Sequence, residues 1–174
     1  MQLVFLPLGV TLLIDCLAWA LFHVIAGYVA WRTPDARLSA DKGVFRFRKW
    51  ENQEGFYRKV LRIHRWKGFF PEAGGFFPGG FSKKHMASRQ PDYMERFVRE
   101  TRRGELSHWL SMLPAPLFFL WNDWRIGIGM LVYALVVNLP FIAINRFNRR
   151  RLQEALRMAG NRQGPASRRK ARAL

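Results

Sequence analysis

Residues 96–121 read RFVRETRRGELSHWLSMLPAPLFFLW. A helix dense in ionisable groups runs without a break signal into an apolar stretch. Arg102, Arg103, Glu105 and His108 therefore sit where a chain passes from water towards lipid. Charge is expensive in hydrocarbon, so ionisable groups at that depth are candidates for a reaction centre.

The flanking segments decide the class. Leu3 to Ala30 is apolar except for Thr11, Asp15 and His23, and Ile126 to Ile144 is polar only at Asn138. Both approach or exceed the roughly 20 residues a membrane span needs. Leu106 to Trp121 is shorter and holds Pro114 and Pro116, but suffices if the preceding helix feeds into it. The expectation is an all-α membrane protein with about three spans, near 3–30, 106–121 and 126–144. The first segment lacks a basic n-region and is longer than a signal-peptide core, which favours a retained anchor.

The chain has 174 residues, with 29 Lys and Arg against 12 Asp and Glu. A net charge of +17 fits nucleic acid or an anionic membrane as partner. The apolar segments favour the membrane, and no nucleic-acid reader motif is present. Apart from Arg125, every Lys and Arg lies in 32–105 or 146–174. The positive-inside rule then places residues 32–105 and the tail in the cytoplasm and the N-terminus outside. Residues 1–160 read as one membrane-embedded domain and 161–174 as a basic disordered tail. The single cysteine, Cys16, allows no internal disulfide.

Within 32–105, Val44–Arg48 alternates like a short strand or a surface-lying extended segment. Phe56 to Lys67 reads as an interfacial amphipathic helix, with Phe56, Val60 and Ile63 on one face and arginines and Lys59 around the other. A Gly/Phe/Pro-rich loop follows, built on the near-repeat GFFP at 68–71 and 75–78. Pro91, with Asp92 behind it, suits the first turn of a new helix. On that helix Met94, Val98, Thr101, Glu105, His108 and Met112 form one stripe. Leu152, Leu156 and Met158 mark a short surface helix before Gly160.

No phosphate loop, metal-ligand cluster or nucleophile elbow appears. Of four histidines, His85 and His108 are the candidate bases. A neutral imidazole takes a proton from a hydroxyl and returns it to a leaving group. Glu105, one turn from His108, is placed to orient the ring, and Arg102 or Arg103 to hold an oxyanion, phosphate or carboxylate. The competing reading is a structural salt-bridge network at the boundary. Asp15 is either a functional group or a helix-holding one, paired with a residue such as Asn138. His64 reads as solvated or facing headgroups.

Tyr57-Arg58-Lys59, Arg65-Trp66-Lys67, His85, the run Glu100 to Trp109 (ETRRGELSHW) and Leu113-Pro114 resemble the glycosyl-4,4′-diaponeurosporenoate acyltransferase family, with Asn138-x-Pro140 in support. The likeness runs from the first span to Asn145-Arg146. The family is associated with the last step of staphyloxanthin-type carotenoid synthesis. The resemblance implies transfer of a fatty-acyl group from an acyl thioester (acyl-CoA or acyl-carrier) to a sugar hydroxyl of a glycosylated carotenoid acid. No cofactor or metal is implied. His108, Glu105 and His85 then become the catalytic candidates. Arg102, Arg103, Glu100, Trp66, Lys67 and Lys84 become the substrate-binding ones, with Lys83 also attracting an anionic carrier. Gly104 stands where members usually carry Ala, and His64 where a basic residue is expected. Two other classes remain: a lipid-modifying methyltransferase, and a non-catalytic membrane adaptor that does not require Arg102, Glu105 and His108 to converge.

Overall fold

A computed structural model describes residues 3–52, 55–70, 88 and 90–171, with backbone alone for Asn52 and 162–171. Among these residues there is no strand; the chain is helical throughout. Helix α1 spans Leu8–Arg32, α2 Ile63–Trp66, α3 Pro91–Met112 and α4 Trp124–Ala171, with short 3-10 turns between.

The long apolar segments form the helices their composition dictates. Two helices, α1 and the apolar part of α4, are long and apolar enough to cross a membrane. Their large apolar side chains stay exposed, Leu13, Leu17, Leu21, Val132 and Val136 among them. A contiguous apolar face of this size is rare on a protein surrounded by water.

Helix α3 starts as the sequence predicts, with Pro91 in the first turn and Asp92 beside it. Its apolar stripe packs inward: Met94, Val98, Thr101 and Glu105 are buried. The expected middle span is not one α-helix. Pro114 and Pro116 lack the N–H groups an α-helix needs, so α3 stops at Met112 and Ala115–Leu120 winds as a 3-10 helix.

Helix α4 differs from expectation in length. It does not stop near Asn145 to leave a separate surface helix, but continues through Ala171. The reason lies in its second half: Leu152 is buried against Met94, Phe97 and Val98 of α3, and Leu156 packs beside it. Packing of an apolar face, more than local propensity, sustains a helix of this length.

The three long helices alternate in direction. At one end, Leu3 N and Val4 N donate to Leu120 O, at 2.7 and 3.2 Å, so the N-terminal segment meets the Trp121–Trp124 turn. Asp15 joins that end. Its Oδ1 accepts from Trp121 Nε1 at 2.7 Å and Asn122 Nδ2 at 2.8 Å, so its partners are these residues and not Asn138. Trp19 stacks on Phe118 with ring centroids 4.7 Å apart, and the small Ala115 and Ala134 fill in around them. At the other end, Arg103 Nη1 donates to the carbonyls of Ala30, Trp31 and Thr33, closing the C-terminus of α1. The last carbonyls of a helix have no intrahelical partner, and a guanidinium satisfies them while opposing the helix dipole.

The segment 56–67 corrects the expectation of one amphipathic helix. Phe56–Val60 forms a π-helical turn, Arg62 takes a left-handed conformation at φ 48°, and α2 begins afresh at Ile63. Tyr57 and Ile63 face inward against Phe147 of α4, whereas Val60 points out. Val44–Arg48 is a 3-10 turn passing into extended chain, not a strand. Most of the Gly/Phe/Pro loop, with Lys83, Lys84 and His85, lies outside the described residues.

Candidate active site

Two arrangements meet where α3 crosses α4. The first is a buried lattice of charge. Glu105, with no solvent exposure, accepts from Arg146 Nε at 2.7 Å and from Arg149 Nη1 at 2.6 Å, while Trp109 Nε1 donates to it at 3.2 Å. Arg146 then reaches Glu51, with Nη1 2.7 Å from each carboxylate oxygen. Tyr57 Oη also donates to Glu51. On the other side Arg149 Nε lies 3.1 Å from Asp41, which also takes Arg102 Nε at 2.9 Å and Gln153 Nε2 at 2.7 Å. Arg102, Arg146 and Arg149 thus face Asp41, Glu51 and Glu105, and the lattice is neutral as a whole. Buried charges persist only when paired and hydrogen-bonded in this way.

Ionisation follows the geometry outside the spans. Burial pushes the Asp41 carboxyl up, but the Arg102 and Gln153 donors and the charge of Arg149 outweigh it and hold it below the usual carboxylate range. Glu51 behaves alike: burial raises it, while Tyr57, the Arg48 amide and Arg146 bring it below its ordinary value. The Tyr57 hydroxyl is pushed well up by burial and by Glu51, so it remains a proton donor.

The second arrangement surrounds His108. Asn138 Nδ2 donates to Ala134 O at 2.9 Å, which turns its Oδ1 towards His108 Nδ1 at 2.9 Å. An oxygen there accepts, so the Nδ1 atom carries the hydrogen and the neutral ring has its lone pair on Nε2. The ring lies flat on Phe141, centroids 4.7 Å apart and planes within 9°. Phe141 meets Phe70 at 5.1 Å, and Phe70 meets Trp66 at 5.4 Å. The imidazole is therefore held at a fixed tautomer against an aromatic wall.

The residues singled out in the sequence separate into these two arrangements. Glu105 does not serve as the partner of His108 Nδ1; that place belongs to Asn138, and Glu105 is drawn into the arginines of α4. Arg102 donates to Asp41 and to Leu38 O, and Arg103 to the end of α1, to Asp35 and to Glu100. Their donors are thus directed at protein groups. Trp66 donates its Nε1 to Leu61 O and edges the aromatic wall, and Lys67 Nζ stands 5.4 Å over the Phe147 ring. Sequence reading missed Asp41, Glu51, Arg146, Arg149 and Asn138 as members of the site. Among the described residues no group of three His, Cys, Asp or Glu side chains is placed to hold a metal.

Arg102, Glu105 and His108 do not converge on one point, which taken alone would favour an adaptor. The likeness to known proteins decides otherwise. An all-helical fold with two helices long and apolar enough to cross a membrane is that of a helical membrane-type protein. The family model CrtO, glycosyl-4,4′-diaponeurosporenoate acyltransferase, matches residues 41–158. The chain is 30% identical over 141 residues to the glycosyl-4,4′-diaponeurosporenoate acyltransferase of Staphylococcus haemolyticus strain JCSC1435, covering 81% of this chain and 82% of that one. It is 26% identical over 140 residues to the protein of the same name from Staphylococcus aureus strain N315, covering 80% and 84%. No solved structure matches the chain significantly. The chain belongs to the glycosyl-4,4′-diaponeurosporenoate acyltransferase family and is an acyltransferase.

Proposed function

We propose that the protein moves a fatty-acyl group from an acyl thioester to a sugar hydroxyl of a glycosylated carotenoid or similar glycolipid, at the cytoplasmic face of the cell membrane. Family membership supports the reaction class and the carotenoid acceptor. The single observation carrying the mechanism is the Asn138–His108 bond, which leaves Nε2 as the basic nitrogen.

The chain crosses the bilayer three times in this reading: by α1, by the apolar end of α3 with its 3-10 continuation, and by α4. The N-terminus and the Trp121–Trp124 turn lie outside, and the arginine-bearing end lies in the cytoplasm, where basic residues prefer to be. The acceptor's apolar body stays in lipid along the exposed face of α1 and α4, and its sugar reaches His108.

His108 Nε2 removes the proton of the attacking hydroxyl. The oxygen adds to the thioester carbonyl carbon, the C–O bond forms, and the C–S bond breaks. The proton passes from imidazolium to the departing thiolate. His85 is the second candidate for the same task, with Lys84 beside it to draw in an anionic donor. The lattice holds α3 and α4 in the register that places His108, so Arg102 and Glu105 act on the reaction as positioning residues, while Arg103, held by Glu100, fixes α3 against the end of α1.

The test is reconstitution in lipid nanodiscs with a radiolabelled acyl thioester and a glycosylated carotenoid acid. An acylated product is expected, and His108→Ala is expected to cut turnover by about 10²–10⁴-fold, the usual scale of general-base assistance. Unchanged turnover would remove His108 from the mechanism. Label transferred only from a methyl donor would replace acyl transfer by methylation.

A further inference from the structure

A second site lies beside the lattice, sharing Tyr57 with it. Residues 55–58 of the π-helical turn region, His64 of α2, and Phe147, Arg150, Arg151 and Glu154 of α4 line a cleft of about 410 Å³. That volume falls within the usual range for small-molecule pockets.

Its charge is unlike that of the lattice. Arg58, His64 and Arg151 line it and are solvent-exposed, and Glu154 is the carboxylate in its wall. Neither Arg58 nor Arg151 is ion-paired among the described residues. Lys67 Nζ and Arg151 Cζ both stand over the Phe147 ring, at 5.4 and 5.5 Å. Burial, and then the nearby charge of Arg151, hold the Lys67 ammonium below its ordinary range. The half-buried ring of Phe56, with the buried Tyr57 and Phe147 behind it, completes the walls.

The backbone here is shaped for the purpose. Gly55 takes φ 86°, and a side chain there would also press on Lys59, its Cβ 2.8 Å from Lys59 Cδ. Arg62, a non-glycine, sits at φ 48°. Left-handed residues and π-turns cluster at functional sites because packing elsewhere must sustain their cost. Together they bring Arg58 and His64 to the same cleft as Arg151.

We propose that this cleft binds the phosphate-bearing nucleotide end of a coenzyme A thioester, with Arg58, His64 and Arg151 on the phosphates and Phe56 against the base. The choice of this donor rests on the acyl-transfer reading above. The dimensions fit it. From Phe141, which stacks on His108, to Arg151 the helix rises about 15 Å. A pantetheine arm has the reach of four or five extended residues, about 14–17 Å. Trp66 and Phe70 lie along that course and end at Phe141. The donor's nucleotide is thus held in the cleft while its thioester arrives beside the imidazole. The Phe56 ring beside the cations favours a nucleotide over a lipid headgroup, which supplies phosphate but no base to stack.

The test uses the full-length protein in phosphatidylcholine nanodiscs, titrated with coenzyme A and with adenosine 3′,5′-bisphosphate. Saturable binding is expected for both, weakened about tenfold by Arg58→Gln or by Arg151→Gln, since each removes a charge-assisted pair. Both side chains are exposed, so circular dichroism of the variants should match the parent. Three results would overturn the proposal: no binding by the parent protein, binding indifferent to both substitutions, or displacement of the nucleotide when phosphatidylglycerol is added to the discs. A protein that binds coenzyme A through these arginines yet acylates no sugar would refute the sugar acceptor proposed above and leave this donor site standing.

Discussion

Glu105 Oε2 lies 2.6 Å from Arg149 Nη1, and neither side chain is exposed to solvent. The two residues belong to helices running in opposite directions and fix their register. Removing either one leaves the buried lattice with three charges of one sign against two of the other, at a cost of up to about 3–5 kcal/mol. Glu105→Ala is therefore expected to lower the thermal midpoint markedly and to reduce the yield of folded protein, and Arg149→Ala to do the same. The double substitution Glu105→Leu with Arg149→Met leaves Arg146 on Glu51 and Asp41 on Arg102, so charge balance is kept and part of the lost stability should return. Differential scanning fluorimetry in detergent measures each variant. A Glu105→Ala protein as stable as the parent would refute the structural role given to the lattice.

Asn138 separates orientation from stability. Asn138→Leu removes the acceptor at His108 Nδ1 and lets the ring exchange tautomers. Loss of the partner that orients a functional histidine typically costs about 10–100-fold, and that loss is expected in kcat, with KM for the donor little changed. Single-turnover kinetics at saturating donor give the answer. Equal kcat in parent and variant would show that the proton is handled elsewhere.

Arg103 closes α1. Its Nη1 serves three carbonyls and its Nη2 lies 2.6 Å from Asp35. Arg103→Ala is expected to cost about 1–3 kcal/mol, the scale for leaving buried acceptors unmet. The loss should show first as proteolysis within residues 33–40, ahead of global unfolding. Cleavage no faster than in the parent would contradict the capping role.

Acid should act through Asp41 and Glu51. Both have carboxyl pKa values depressed in the folded protein relative to the unfolded chain. A depressed folded value means the stabilisation is fully present above the unfolded carboxylate range, about pH 4. It is then lost as pH falls through the folded values. Thermal midpoints measured from pH 7 to pH 3 should hold steady and then drop below about pH 4. Glu51→Gln is expected to start lower and to drop less steeply.

Much of this architecture is legible in the sequence because it rests on local rules. Pro91 and Asp92 announce the start of α3, and the spacing of Met94, Val98, Thr101 and Glu105 announces its buried face. Pro114 and Pro116 warn that the helix cannot continue unchanged. The partner of Glu105 is another matter. Its arginines lie 41 and 44 residues away, and Glu51 is 95 residues from Arg146. Periodicity ranks faces of one helix and has no term for which distant charge meets which. One signal was available: Arg146 and Arg149 stand three apart, directly after an apolar span, in a chain with only 12 acidic residues. Such a pair needs nearby acids, and Glu105 is the one that shares the stripe of α3. The break at Arg62 was invisible for a different reason. Nothing in the residue type demands a left-handed conformation there, and the packing of Tyr57 and Ile63 on Phe147 imposes it.

Helix α4 is 48 residues long, or about 72 Å of rod, more than twice the thickness of a bilayer's hydrocarbon. It is pinned to α3 by ion pairs rather than by interchangeable methyl groups, so it cannot creep along its axis. A slip of one turn, about 5.4 Å, would carry Arg146 and Arg149 past every carboxylate they now meet. In the mechanism proposed above, this fixed register acts as a depth gauge: the imidazole rides at one level, and only a hydroxyl that floats at that level is within its grasp.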